Sequence, residues 1–169
     1  MKVQYMKSSD DPIIEFRAEL KKETIQQAYR RLMEYCSGLR THFQKTLLEY
    51  ELQGSLYQGY MDMTYFSIIP PALKQHKLKI AVVFLYDTYR FEVWLSGYNR
   101  QVQAVFWNKL RSSGIQPYHL VEDPLKADAI LEHILVEDPD FNHPDELTRQ
   151  IDIGVTDFIN EMLTILQSL

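Results

Sequence analysis

Arg90 and Glu92 stand two residues apart, with Trp94 two further on, so on a strand all three share one face. Arg can grip a carboxylate or phosphate through parallel hydrogen bonds, and Glu can hold a cation or accept a proton. Tyr60 and Asp62 carry the same kind of chemistry on the aromatic stretch before them. One reading brings Arg90, Glu92, Tyr60 and Asp62 to a shared polar cleft, with Tyr57 and Trp94 as its aromatic part and Arg40, Asn99 and Arg100 around it. The simpler reading is that polar residues alternating with Phe91, Val93 and Leu95 mark the solvent side of an antiparallel strand. The nine residues named are the candidate ligand-binding set; no catalytic residue, metal ligand set or cofactor is assigned.

An enzyme alternative uses some of the same residues. The order helix, three strands, helix, strand resembles the core order of restriction-endonuclease-like nucleases, whose Mg²⁺ sits on an Asp and a Glu-x-Lys. Here Glu92-Val93-Trp94 has tryptophan in the lysine position, Asp87 falls in a turn, and Lys79 would have to stand in. A fold order does not carry an activity with it. His133, Glu137, Asp138, Asp140 and His143 are ligand-type residues. On a strand, His133 and Glu137 lie about 13 Å apart, too far for one metal. On a helix they would be neighbours. The bland account is an acidic loop whose charge favours the start of the last helix. No nucleophile elbow, phosphate loop or His-Glu-x-x-His is present. Cys36 lies on an apolar stripe, where a thiol packs and stays inert.

The elements that must position these residues follow from periodicity. Asp11-Pro12 reads as a cap and first helical position, opening a helix to Lys22. Thr24 and Gln27 have capping-box spacing, and Ile25, Tyr29, Leu32, Cys36, Leu39, Phe43, Leu47 and Tyr50 make one helical stripe, with Ser37-Gly38 as a point of bending. Leu56–Phe66 reads as a strand with Tyr57, Met61 and Met63 on one face and Gln58, Tyr60, Asp62 and Thr64 on the other. A short turn or helix over Ala72–His76 precedes a hairpin of Leu78–Tyr86 and Tyr89–Leu95 about Asp87-Thr88. Asn99 caps a helix that ends near Gly114. Leu125–Glu137 has helix-forming composition, but Ala129–Val136 is assigned as a strand because a hairpin core needs further strands to cover it. Leu147, Ile151, Val155, Phe158, Met162, Ile165 and Leu169 define the last helix.

The expected class is α+β, order α-α-β-β-β-α-β-α, with a mainly antiparallel sheet of about four strands. In 169 residues one domain, 1–169, is the default. A net charge of −5 speaks against nucleic acid as partner, and the lone cysteine fits a reducing, cytoplasmic setting. The polar stretch Met1–Pro12 lacks the apolar core of a secretory signal, and no apolar run approaches the 20 or so residues of a membrane span.

Four stretches carry a resemblance: Gly38–Phe43 (GLRTHF), Tyr57–Phe66 (YQGYMDMTYF), Arg90–Gln103 (RFEVWLSGYNRQVQ) and Ile134–Phe141 (ILVEDPDF). On them the whole chain resembles a family of bacterial proteins catalogued as a domain of unknown function. The resemblance implies one intact domain and implies no activity, cofactor or catalytic residue. The expected role is a binding or accessory module contacting a small molecule or a protein, with a symmetric dimer open to it and a degenerate or metal-dependent nuclease-like enzyme as the alternative.

Overall fold

A computed structural model of the chain describes residues 11–114 and 118–169. The polar N-terminal stretch, up to residue 10, lies outside the described residues. The chain divides into two compact units, Met1–Tyr35 and Cys36–Leu169.

In the first unit, helix α1 (Pro12–Leu20) starts as its sequence dictates: Asp11 accepts from Ile13 N–H, and Pro12 fills a position that needs no donor. Helix α2 (Thr24–Thr46) begins here and continues into the second unit, helical through Ser37-Gly38. The capping box is not formed. Thr24 Oγ1 donates to Lys22 O, and Gln27 N–H bonds to Glu23 O. Nor does α2 reach Tyr50: it ends at Thr46, and Tyr50 N–H closes a turn on Leu47 O before the first strand.

The second unit is built on a six-stranded sheet rather than one of about four strands. Its strands are β1 (Glu51–Tyr57), β2 (Met63–Ile69), β3 (Leu78–Leu85), β4 (Arg90–Gly97), β5 (His119–Leu120) and β6 (Leu131–Glu137), in the order β1-β2-β3-β4-β6-β5. All neighbours are antiparallel. One added strand comes from the stretch 56–66, which is a hairpin and not a strand. Gly59 has φ +67° and Met61 φ +61°, and Asp62 Oδ1 takes the Tyr60 N–H, so the chain reverses between them. A Cβ at position 59 would meet Met63 O at 2.2 Å, so glycine is the residue this turn admits. The other added strand, β5, is two residues long and carries no periodic signal. Leu131–Glu137 is a strand despite helix-forming composition, because β4 offers it an open edge along its length.

Alternation along β2, β3 and β4 sorts side chains onto two faces. The first carries Phe66, Ile80, Val82, Phe84, Phe91, Val93 and Leu95, all buried. It is covered by the second half of α2, where Phe43 meets Phe66, and by α5 (Pro144–Ser168), where Phe158 stacks on His133. His42 Nε2 and Asp152 Oδ2, 2.7 Å apart, link these two helices. The second face carries Tyr65, Ala81, Val83, Glu92 and Trp94. Val121, Ala129 and Trp107 of α4 (Arg100–Ser113) cover only part of it. The short helix α3 (Pro71–Gln75) joins β2 to β3. No helix among the described residues is long and apolar enough to cross a membrane.

Cys36 lies on the covered face, and burial pushes its thiol up to about 12. A thiolate is the reactive form, so a maleimide is expected to label Cys36 at least about 100-fold more slowly in the native protein than in denaturant. Comparable rates would show that α2 does not bury it.

Candidate functional site

The uncovered part of the second face is a cleft of about 550 Å³. Its floor is set by side-chain size. Ala81 lies opposite Trp94 on one side and Ser67 on the other, so small residues leave a depression between the larger rings of Tyr65 and Trp94. Lys79, one pleat along β3 and opposite Ser96, shares that floor. The β1–β2 hairpin supplies one wall through Tyr57, Asp62 and Met63. The Tyr57 and Tyr65 rings pack at 4.8 Å between centroids. The other wall is the end of β4 and the first turn of α4: Tyr98, Asn99, Arg100 and Gln103, with Asp128 behind. A second, wider hollow of about 810 Å³ shares Tyr57, Tyr65 and Lys79 with the first.

Two buried polar groups fix this geometry. Glu92, 2% exposed, accepts from Arg90 Nε on Oε1 and from Trp94 Nε1 on Oε2, each at 2.6 Å. The carboxylate thus sets the plane of the Trp94 ring that floors the cleft. Gln103, 3% exposed, accepts from Gly97 N–H and donates to Pro124 O and Ala127 O. That amide ties the end of β4, the start of α4 and the 124–127 loop together. Gly97 permits the close approach, since a Cβ there would come within 2.8 Å of Gln103 N. The loop then delivers Asp128, whose carbonyl takes Ser96 Oγ–H and whose carboxylate pairs with Arg100 at 3.0 Å. Asn99 caps α4 by accepting from Val102 N–H.

The candidate residues therefore separate. Tyr57, Asp62, Trp94, Asn99 and Arg100 line the cleft. Arg90 and Glu92 lie on the same sheet face but point into their own closed pair beneath it. Tyr60 stands in the hairpin turn, 93% exposed, outside the lining. Arg40 is committed elsewhere: its guanidinium donates to Leu52 O and Gly54 O of β1. Tyr60 and Asp62 do not sit on one strand face, because the chain turns through both. The cleft adds Lys79, Tyr65, Tyr98, Ser96, Gln103 and Asp128, which lie outside the nine candidates. The visible signal for one of them was a lysine inside an otherwise apolar strand, two residues before a small alanine.

The nuclease residues are differently placed. Glu92 is buried with both oxygens engaged, and Asp87 accepts from Thr88 N–H in the β3–β4 turn. Among the described residues, no three His, Cys, Asp or Glu side chains stand together as a metal-binding group. His133 lies on a strand against Phe158, away from Asp140 and His143, which pair with each other at 2.7 Å. His143 Nδ1 and the Asn142 N–H hold the Asp140 carboxyl below its usual range. His143 occupies the position before α5 without a side-chain cap, and Asp145 and Glu146 put negative charge in the first turn.

Backbone N–H groups of Tyr60 and Met63 likewise hold the Asp62 carboxyl low. Burial, and then the nearby Glu92 charge, push Glu132 above its usual value of 4.5, against smaller opposing effects of His119 and Arg90. A carboxyl raised on folding stabilises the folded state while protonated, and that contribution is lost as pH rises through its folded value. Glu132→Gln is therefore expected to raise Tm at pH 7 by roughly 1–3 °C, with the gain fading below the usual carboxylate range. A gain that persists unchanged at pH 3.5 would contradict this.

The family model described as Domain of unknown function (DUF7000) matches residues 9–166. No curated protein and no solved structure matches the chain.

Proposed function

We propose that this chain, which belongs to the domain-of-unknown-function family DUF7000, is a binding module whose outer-face cleft takes a small molecule. The observation that carries this reading is a cleft of about 550 Å³ with an aromatic floor and walls rich in polar and charged side chains. Small-molecule sites typically occupy about 300–1,000 Å³. A protein partner fits less well, because the lining rings face into a concavity rather than standing out as a patch. The floor is also held in place before any ligand arrives. Glu92 orients Trp94, and Gln103 holds the wall opposite the hairpin, which lowers the ordering cost of binding.

The same reading makes residues 1–169 one domain, supported by a family match that runs across both compact units. It places the protein in the bacterial cytoplasm, supported by the resemblance and by a single buried thiol. Nucleic acid is a poor partner for a chain of net charge −5 with Asp62 and Asp128 on the cleft.

A thermal-shift screen of small metabolites, followed by tryptophan-fluorescence titration of the hits, tests this. Tyr57 is 44% exposed, so Tyr57→Ala should leave Tm within roughly 2 °C of the parent. It should weaken cleft ligands about 5–10-fold through the lost ring contact. Absence of any stabilising compound, or hits indifferent to Tyr57→Ala, would overturn the reading.

A further inference from the structure

We infer that the cleft selects a planar ring carrying one anionic oxygen group, a carboxylate or a phosphate, with Lys79 as the residue that reads the charge. The inference rests on the cleft being a small-molecule site and adds the class of ligand.

The charges of the lining single out Lys79. Four charged side chains reach the cleft: Asp62, Lys79, Arg100 and Asp128. Arg100 and Asp128 answer each other at 3.0 Å. Asp62 is held by the backbone N–H groups of its own turn, which satisfy the carboxylate without a cation. The Lys79 ammonium, among the described residues, has no carboxylate within ion-pair reach and no hydrogen-bond partner. The residue is half-buried on the sheet and lies on the floor shared by both hollows. A cation without a protein partner, set in a concave site, favours an anion delivered by the ligand. A cationic ligand has no equivalent anchor, because both carboxylates are already engaged.

The ring preference comes from the neighbours of Lys79. Tyr65 and Trp94 flank the small Ala81, and Tyr57 packs against Tyr65, so aromatic faces and edges border the depression. A flat ring set over Ala81 would meet them in offset or edge-on contact. Its acidic group then has one direction to go, along β3 by one pleat, to Lys79 beside the Ser96 hydroxyl. Ser96 Oγ already donates to Asp128 O, so it adds polarity there but is not the charge reader.

The test uses matched probes that differ in charge alone: 2-naphthoate against 2-naphthamide, and adenosine monophosphate against adenosine. Binding is read from the Trp94 indole N–H resonance in the full chain. The expected result is that at least one anion binds ten-fold or more tightly than its uncharged counterpart. Lys79→Met, which keeps the stem, should bring the two within about two-fold of each other, and Lys79→Arg should restore most of the preference. Raising salt from 50 to 500 mM should shrink the preference in the parent and leave Lys79→Met unaffected. Circular dichroism and Tm identify any variant that fails to fold, and Lys79→Gln then serves as the second charge-removing change. Equal binding of charged and uncharged probes, or a preference that survives Lys79→Met, overturns the inference while the cleft remains a ligand site. If none of the four probes moves the Trp94 resonance, the inference falls, and the thermal-shift screen decides the reading beneath it.

Discussion

Glu92→Ala is expected to lower Tm by roughly 8–12 °C, a loss of about 3–4 kcal/mol. The carboxylate is buried, and the substitution removes its hold on Arg90 and on the Trp94 indole N–H together. A buried partner removed from such a pair typically costs about 3–5 kcal/mol, because the group left behind loses its compensation. Here the cost sits toward the lower end, since the Arg90 side chain is 28% exposed and water can solvate it. Trp94 N–H has less recourse in a ring that is 7% exposed. Glu92→Gln should cost less, about 1–2 kcal/mol, because one amide oxygen still accepts while its N–H₂ faces a donor. The near-ultraviolet circular dichroism of Trp94 should weaken in both variants before any change in the far-ultraviolet signal. If Glu92→Ala melts within 2 °C of the parent and keeps that dichroism, the carboxylate does not fix the ring.

Gln103→Leu carries the second large effect, about 2–4 kcal/mol of stability. It leaves the Gly97 N–H and the Pro124 and Ala127 carbonyls without the one side chain that serves all three. An unpaired buried group costs about 1–3 kcal/mol, reduced for the two loop carbonyls because they are only half-buried. Gln103→Glu separates the contributions. It still accepts from Gly97 but cannot donate, so its loss reports the two loop bonds plus a buried charge. Either variant should also loosen the 124–128 loop and with it the Arg100–Asp128 pair. Faster amide exchange at Gly97 and a ten-fold weaker affinity for cleft ligands are the expected results. Retained affinity beside a lowered Tm would show that Gln103 supports the fold and not the site.

Much of this architecture can be read from local pattern, and the limits of that reading have physical causes. The stripe Leu147 to Met162 sits on α5, Asn99 caps α4, and Leu78–Leu85 pairs with Arg90–Gly97, because each signal lies within one element or one tight turn. The turn at 58–62 reads as continuous strand because alternating residue types run on through Gly59 and Asp62. Their turn shows in the positive φ at Gly59 and Met61 and in the Tyr60 N–H bond to Asp62. The two-residue β5 has no period to detect. Among the site residues, Tyr57, Asp62, Trp94, Asn99 and Arg100 stand out by type and spacing. What gathers them is not local: Gln103 reaches carbonyls 21 and 24 residues away, and Ser96 reaches one 32 residues away. Arg90 and Glu92 looked like site chemistry because buried ion pairs and active carboxylates share residue types. Only the burial of Glu92, and the indole N–H on its second oxygen, distinguish a positioning group from one that faces a ligand.

In the proposed reading, a small molecule sits in the depression over Ala81, between Tyr65 and Trp94. Crystals soaked with a library of small aromatic and acidic fragments test it most directly. Ring density is expected over Ala81, with acidic groups turned toward Lys79 and Ser96. Fragments found only elsewhere, as along the apolar seam of Leu73, Phe106 and Met162, with the cleft empty at the same concentrations, would contradict it.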